Sequence, residues 1–279
     1  MRSMLDKGIS SLSRAAALAG MSRHAIYYKP SRQHIRRLRS DENETREMVR
    51  RVALEHPTYG FRRVWAVLRM QEGLFISRKR VHRMLAEESL LKEAHFPRPR
   101  LPQTGNLSSG LPNSRWFTDL TYLDTTDCGP VPFMPIEDSC TRKIVGHELM
   151  RSCGAADALA VLERTVMSIF PEGRAPGLAL KTDGGPQYRA EKFREGARCL
   201  GIRLENTRKR RPEDNGMQES FNGHFKADYM WVREPATFAE TVRTVDEAVF
   251  DYNNRRPHSS LNYLTPVEYE RRIISEVKT

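Results

Sequence analysis

RWFTDLTYLDTTDCGPVPFMPIEDSCTRKIVGHELM, residues 115–150, decides the fold. It reads as three short extended segments, RWFTDLTYLD, PVPFMPIEDS and TRKIVGHELM, with Cys128, Gly129 and Pro130 in the first turn. AADALAVLERTVMSIF then predicts a helix ending before Pro171, GLALKT a short apolar strand, residues 189–200 a helix and IRLENT a further strand. Three antiparallel strands followed by alternating helices and strands imply an α/β fold, a mixed five-stranded sheet with helices on its faces. In such sheets, sites gather at strand ends and where strand order switches.

One residue in the first segment does not suit a strand. Asp119 stands among aromatic, β-branched and leucine neighbours. Asp is depleted in strands, and an unpaired buried charge is costly. Two further carboxylates offer an explanation. Asp183 follows the apolar run GLALKT, and Glu219 falls in a helical segment at about residues 212–229, with 35 residues between the two acids. On that helix Asn215, Glu219, Asn222 and Lys226 recur at spacings of four, three and four, which lines them up as one polar stripe. Two strands and a helix can thus bring three acids together. Carboxylate oxygens are the preferred ligands of hard divalent cations such as Mg2+. Two such ions about 3.5 to 4 Å apart can activate an attacking oxygen and stabilise a leaving one at phosphorus. Asp124, Asp127 and Asp138 compete for the first position, and Asp214 rivals Glu219, although capping at a helix start accounts for Asp214 without metal.

The net charge of +11 is unevenly placed. Residues 1–114 hold 22 Lys/Arg against 10 Asp/Glu, whereas residues 115–279 hold 24 against 25. The basic first part is where a polyanion is expected. Within it, SLSRAAALAGMSRHAIYYKP suggests two short helices about a turn at Gly20, with Ser22 as N-cap and Arg23, His24 and Tyr27 on the second helix. An Arg-rich connector, HIRRLRS, leads to a helix at about residues 41–55. FRRVWAVLRM and RKRVHRMLAEE then form a second helix-turn-helix candidate, with Val64, Trp65, Leu68, Val81, Met84 and Leu85 facing inward and Ser77 as cap. Arg78, Lys79, Arg80, His82 and Arg83 crowd the start of its last helix. A basic first turn opposes the helix dipole, so a phosphate partner is preferred there. Residues 94–114, rich in Pro, Gly, Ser and Asn, form a linker. The expected domains are therefore a helical DNA-binding region at 1–93, the linker at 94–114, and a core at 115–279.

Cys128, Cys140, Cys153 and Cys199 include no C-x-x-C pair and are expected to be free thiols; a zinc site from Cys128, Cys140, His147 and Cys153 lacks paired spacing. No apolar run approaches the ~18 residues that span a bilayer, and the N terminus has no signal-peptide core. A cytoplasmic, nucleoid-associated protein without membrane contact is expected.

The three acid-bearing motifs, WFTDLTYL, KTDGGPQYRAEKF and RPEDNGMQESFNGHFK, resemble the DDE core of transposases and retroviral integrases. YNNRRPHSSLNYLTP, residues 252–266, resembles the C-terminal signature of the insertion-sequence-three family in its second-frame (orfB) product, and PTYGFRRVWAVL is similar to that family's upstream helix-turn-helix region. The resemblance implies a ribonuclease H-like fold with Asp119, Asp183 and Glu219 as catalytic, metal-binding acids for two Mg2+ ions, for which Mn2+ can substitute. It also implies hydrolysis of a phosphodiester at a transposon end, followed by attack of the freed 3′-OH on another strand. The partners so implied are double-stranded DNA, at least a dimer of the chain on that DNA, and an upstream-frame partner or fused segment. Arg208, Lys209, Arg210 and Arg211, just before the Glu219 helix, are expected to hold phosphates, with Asn215 and Lys226 as further DNA contacts; His258 is expected to be structural. The family's pattern often has another residue at Gly184 or Gly185, which leaves the acid itself intact. Two alternatives predict different behaviour: a catalytically inactive DNA-binding regulator would bind without metal dependence, and a ribonuclease H-like nuclease would act on RNA or RNA–DNA hybrid.

Overall fold

The computed structural model describes residues 32–92, 110–206 and 216–277. One compact unit ends at Arg51 and a second runs from Val52 to the C terminus. Helix α1 (Arg32–Glu55) has no Gly or Pro in its 24 residues, and HIRRLRS, expected as a connector, is helical within it. Helices α2 (Phe61–Met70) and α3 (Arg78–Glu87) form the expected hairpin. Val64, Trp65, Leu68, Val81, Met84 and Leu85 are all buried, and the Ser77 hydroxyl accepts from the Arg80 N–H. The Trp65 indole N–H donates to the Ile76 carbonyl at 2.8 Å, closing the turn between the helices. Both belong to the unit that carries the sheet; residues 93–109, most of the expected linker, lie outside the described residues.

The sheet comprises β1 (Arg115–Thr118), β2 (Thr121–Thr125), β3 (Gly129–Asp138), β4 (Ile144–Leu149), β5 (Ala179–Thr182) and β6 (Arg203–Asn206). β3 pairs antiparallel with β1, β2 and β4, while β1–β5 and β5–β6 are parallel. Thr118 lies opposite Ile136 and Thr121 opposite Phe133, so β1 and β2 keep one register against β3 and are halves of a single strand interrupted at Asp119 and Leu120. Among the described residues there are six strand segments, and with β1 and β2 taken as one strand there are the five expected.

A proline explains the interruption. Along β3 the backbone groups alternate sides: the Pro132 carbonyl accepts from Met150 beyond β4, and the Ser139 N–H donates to the Arg115 carbonyl on β1. Odd-numbered residues of β3 therefore address β1 and β2. Pro135, which the register sets opposite Asp119, has no N–H to offer that carbonyl. The Pro135 carbonyl is taken by the Thr118 hydroxyl at 2.9 Å. The ladder loses a rung at the acid.

Helices cover both faces. β3 alternates Met134 and Ile136 into a core with α4 (Ala155–Ile169), α5 (Pro186–Arg189) and α6 (Glu191–Cys199), against Val131 and Phe133 into a second core. The second core is built by α7 (Gly216–Phe225), the π-turn Lys226–Met230 and α9 (Phe238–Asn254), with a three-residue α8 (Trp231–Arg233) between. Phe225 stacks on Phe133 at 5.2 Å between ring centroids, fixing α7 to the sheet. A 3-10 turn (Ser259–Leu261) and α10 (Pro266–Val277) end the chain's described part. On the other face β4 meets α4 so closely that a Cβ on Gly146 would collide with the Thr165 side chain.

Glu137 on β3 is buried with Oε2 unbonded, and Arg142 approaches only to 3.9 Å. Burial, aided by the neighbouring Asp138, outweighs Arg142 and pushes its pKa up to about 8. A folded pKa above the unfolded value means that the native form keeps a proton the unfolded chain has already released, so stability falls as pH rises from about 5 toward 8. Glu137→Gln is expected to melt above the wild type at pH 8, with the gap closing toward pH 5; thermal denaturation at the two pH values checks this.

Candidate active site

Asp119 and Asp183 follow the last residues of adjacent parallel strands. Phe117 is opposite Lys181, and the same register carried two residues on sets Asp119 beside Asp183. Neighbouring strands run about 4.8 Å apart, so the two carboxylates share one edge and one face of the sheet. Beyond Asp183 the chain turns through Gly184 at φ +71°, a conformation suited to glycine, and the Gly185 N–H donates to Asp183 Oδ1 at 2.8 Å. That turn holds the acid at the strand's end, and Pro186 opens α5 directly after it.

α7 lies over the same face and supplies two groups. Glu219 is exposed in its first turn. One turn further on, the Asn222 amide donates to Asp119 Oδ2 at 3.0 Å. Asp119 is half-buried, and its pKa is pushed up to about 6, first by burial and next by the negative charge of Asp183, with Glu219 adding a smaller push. Asn222 and the Leu120 N–H oppose the rise. Asp119 therefore feels the other two carboxylates at the carboxyl edge of the sheet. Among the described residues no three His, Cys, Asp or Glu side chains converge tightly enough to enclose a metal ion as they stand.

Three of the competing acids sit elsewhere, and Asp214 lies outside the described residues. Asp138 is buried and accepts from the N–H groups of Asn113, Cys140 and Thr141 and from the Thr141 hydroxyl, so it ties the turn after β3. Asp124 and Asp127 are exposed on β2 and its hairpin. All four cysteines are free thiols, and His147 faces Asp246 at 2.9 Å.

Of the basic residues singled out by the sequence, Lys79, His82 and Arg83 are exposed on α3, and Arg80 is half-exposed. Arg83 approaches Glu87 at 3.6 Å, and His82 sets its ring edge-on to Phe61. Arg78 is stacked over Trp65 at 4.2 Å and over Tyr263 at 5.1 Å. Lys226 begins the π-turn and lines an open groove with Tyr122, Asp124 and Trp231, a groove to which none of the three acids contributes. Arg23, His24, Tyr27, Arg208, Lys209, Arg210, Arg211 and Asn215 lie outside the described residues. Asn222 was missed as a site residue, although its place in the polar stripe with Glu219 was the signal for it.

A mixed sheet carrying acids at its carboxyl edge, roofed by a helix with a third acid, defines an integrase-type catalytic core. Family models for the integrase core domain match residues 111–212 and 200–266, and one for an HTH-like domain matches residues 39–98. The chain belongs to the DDE transposases of the insertion-sequence-three family. It is 31% identical to the Escherichia coli transposase InsD for insertion element IS2A/D/F/H/I/K, over 95% of this chain and 91% of that one. The InsD transposase of element IS2-9 from strain K12 shows the same identity, over 95% and 89%. The fold is similar to that of a chain in the simian T-cell lymphotropic virus intasome solved with PP2A regulatory subunit B56 gamma, with a TM-score of 0.52 and 16% identity over 74% of this chain and 73% of that one. Among the described residues no helix is long and apolar enough to cross a membrane.

Proposed function

We propose that the chain cuts and joins DNA strands at the ends of a mobile element, with Asp119, Asp183 and Glu219 as its catalytic acids. The observation that carries this is the placement of Asp119 beside Asp183 at the sheet edge under the helix of Glu219, where burial first and then the charges of Asp183 and Glu219 raise the pKa of Asp119. Like charges gathered at an accessible strand end are unfavourable until a cation joins them. The donor set is all oxygen, with neither thiol nor imidazole, and this suits a hard divalent ion. Asp119, Asp183 and Glu219 would hold that ion, Mg2+ as a pair with Mn2+ as substitute. When bound, it supplies Lewis-acid activation of the attacking oxygen and charge stabilisation of the leaving one.

The chain's own residues supply placement. Asn222 fixes the orientation of Asp119, and the Gly184 turn fixes that of Asp183. Lys79, Arg80, His82 and Arg83 on α3, with Arg78, bring phosphates of a duplex to the helical pair; residues 208–211, Asn215 and Lys226 add further DNA contacts. Residues 1–93 act as the DNA-binding region, 94–114 as the linker and 115–279 as the catalytic core. Two ends must be joined, so the active form is at least a dimer, completed by an upstream-frame partner or fused segment.

The test is a labelled duplex carrying the sequence that flanks this coding region. Strand cleavage and joining are expected with Mg2+ or Mn2+ and none with EDTA. Tight, salt-sensitive binding without any cleavage would favour the inactive regulator instead.

A further inference from the structure

The YNNRRPHSSLNYLTP segment touches none of the three acids, yet its Arg256 is the most deeply placed cation of the region, 3% exposed in its side chain. Its Nε donates to Asp228 Oδ2 at 2.9 Å, and Nη2 stands 2.8 Å from the same oxygen without hydrogen-bond direction. The same oxygen receives Arg63 Nη1 from α2 at 3.3 Å, and Thr58, just before α2, also bonds this carboxylate. Burial alone would raise the pKa of Asp228, but Arg256 and Arg63 outweigh it and hold the carboxyl below the usual range. His258, buried beside Arg256, is held well below the ordinary imidazole value by burial and by the two guanidinium groups. It stays neutral and does not compete for Asp228.

Asp228 sits in the π-turn that continues α7, nine residues after Glu219. Apolar packing such as Phe225 on Phe133 is non-directional and leaves a helix free to slide or roll slightly. Charge-assisted hydrogen bonds are directional and remove that freedom. Asp228 lies in the middle of the widened π-turn, and from there it meets Arg63 of α2. One contact alone would allow α2 to pivot. A second exists: Trp65 packs edge-on against Tyr263 at 5.6 Å, Arg78 stacks over both rings, and Gln71 Nε2 donates to the Arg255 carbonyl at 2.6 Å. Two separated contacts fix orientation as well as position.

We infer that Asp228 is a shared mount: through Arg63 and Arg256 it fixes the α2–α3 pair to the helix carrying Glu219, so that the cut phosphate lies a set distance from the base pairs the helical pair contacts. Arg63, Asp228 and Arg256 are positioning residues, and their role rests on the roles proposed above for α3 and Glu219.

The full chain and its Arg63→Met and Arg63→Lys variants are compared on the flanking-sequence duplex with Mg2+, mapping every cut at nucleotide resolution and recording melting temperatures. The wild type is expected to cut one phosphodiester. In Arg63→Met the share of cuts at that phosphate falls about fivefold or more as neighbouring phosphates are cut, while Arg63→Lys, which keeps the cation, returns most cuts to the single position. The mount is overturned if both variants cut the same single phosphate as the wild type, whether at full rate or equally slowed. A wild type that cuts nowhere removes the proposed activity itself and the mount with it.

Discussion

Asp119→Asn is expected to abolish strand cleavage while leaving the protein folded, and to make it more heat-stable. Loss of a carboxylate that holds the cation forfeits several kcal/mol of transition-state stabilisation, so cleavage falls by about a thousandfold or more. Stability moves the other way. The folded pKa of Asp119 lies near 6, above its ordinary value, so its negative charge costs stability above that pH and costs nothing well below it. Asparagine removes the charge yet keeps an oxygen for the Asn222 amide. A gain on the order of 1–3 kcal/mol is expected at pH 8, vanishing toward pH 4. Mg2+ should raise the melting temperature of the wild type and leave that of the variant unmoved. A variant that melts lower at pH 8 than the wild type, or that still responds to Mg2+, would show that Asp119 serves the fold and not an ion.

Arg256→Met is expected to cause the largest loss of stability. It strips the main partner from Asp228, whose side chain is 4% exposed, and leaves it with Arg63 and the Thr58 hydrogen bond. Breaking a buried pair from one side costs about 3 kcal/mol or more, because the remaining charge stays buried. In a unit of this size that lowers the melting temperature by about 6 to 12 °C. The sign of the pH dependence is diagnostic. In the wild type the pKa of Asp228 is depressed, so the contribution of the pair is present at neutral pH and lost only as pH falls through that low value. In Arg256→Met, burial prevails, the carboxyl moves up, and acidification toward pH 5 should recover stability. A further Asp228→Leu change should recover part of it at pH 7. Melting curves of the three proteins at pH 5 and pH 7 give the answer, and a single variant within a degree of the wild type at pH 7 would refute the assignment.

The strands were legible because their pattern is local. RWFTDLTYLD, PVPFMPIEDS and TRKIVGHELM carry the alternation that two cores demand, with Met134 and Ile136 to one side and Val131 and Phe133 to the other. Asp119 was legible by misfit, as the wrong residue for a strand, and the strand is interrupted there. What the sequence concealed depends on partners distant in the chain. Asp228 and Arg256 are 28 residues apart, and Arg63 is 165 from Asp228, so no window of periodicity joins them. The π-turn was equally hidden: KADYM continues a helical pattern, and only packing against α9 and α2 reveals the extra residue. Lys226, which the spacing put in one stripe with Glu219 and Asn222, lines a groove beside β2.

Pro135 makes the placement of the acid a property of two strands. Because the residue facing Asp119 across the sheet has nothing to donate, the peptide carbonyl there is exempt from the regular stitching on either side of it, and the carboxylate rides on a link of the strand that lacks this bond. Valine at position 135 would close that gap and clamp the link flat, altering the aim of Asp119 from a neighbouring strand with the acid itself left in place.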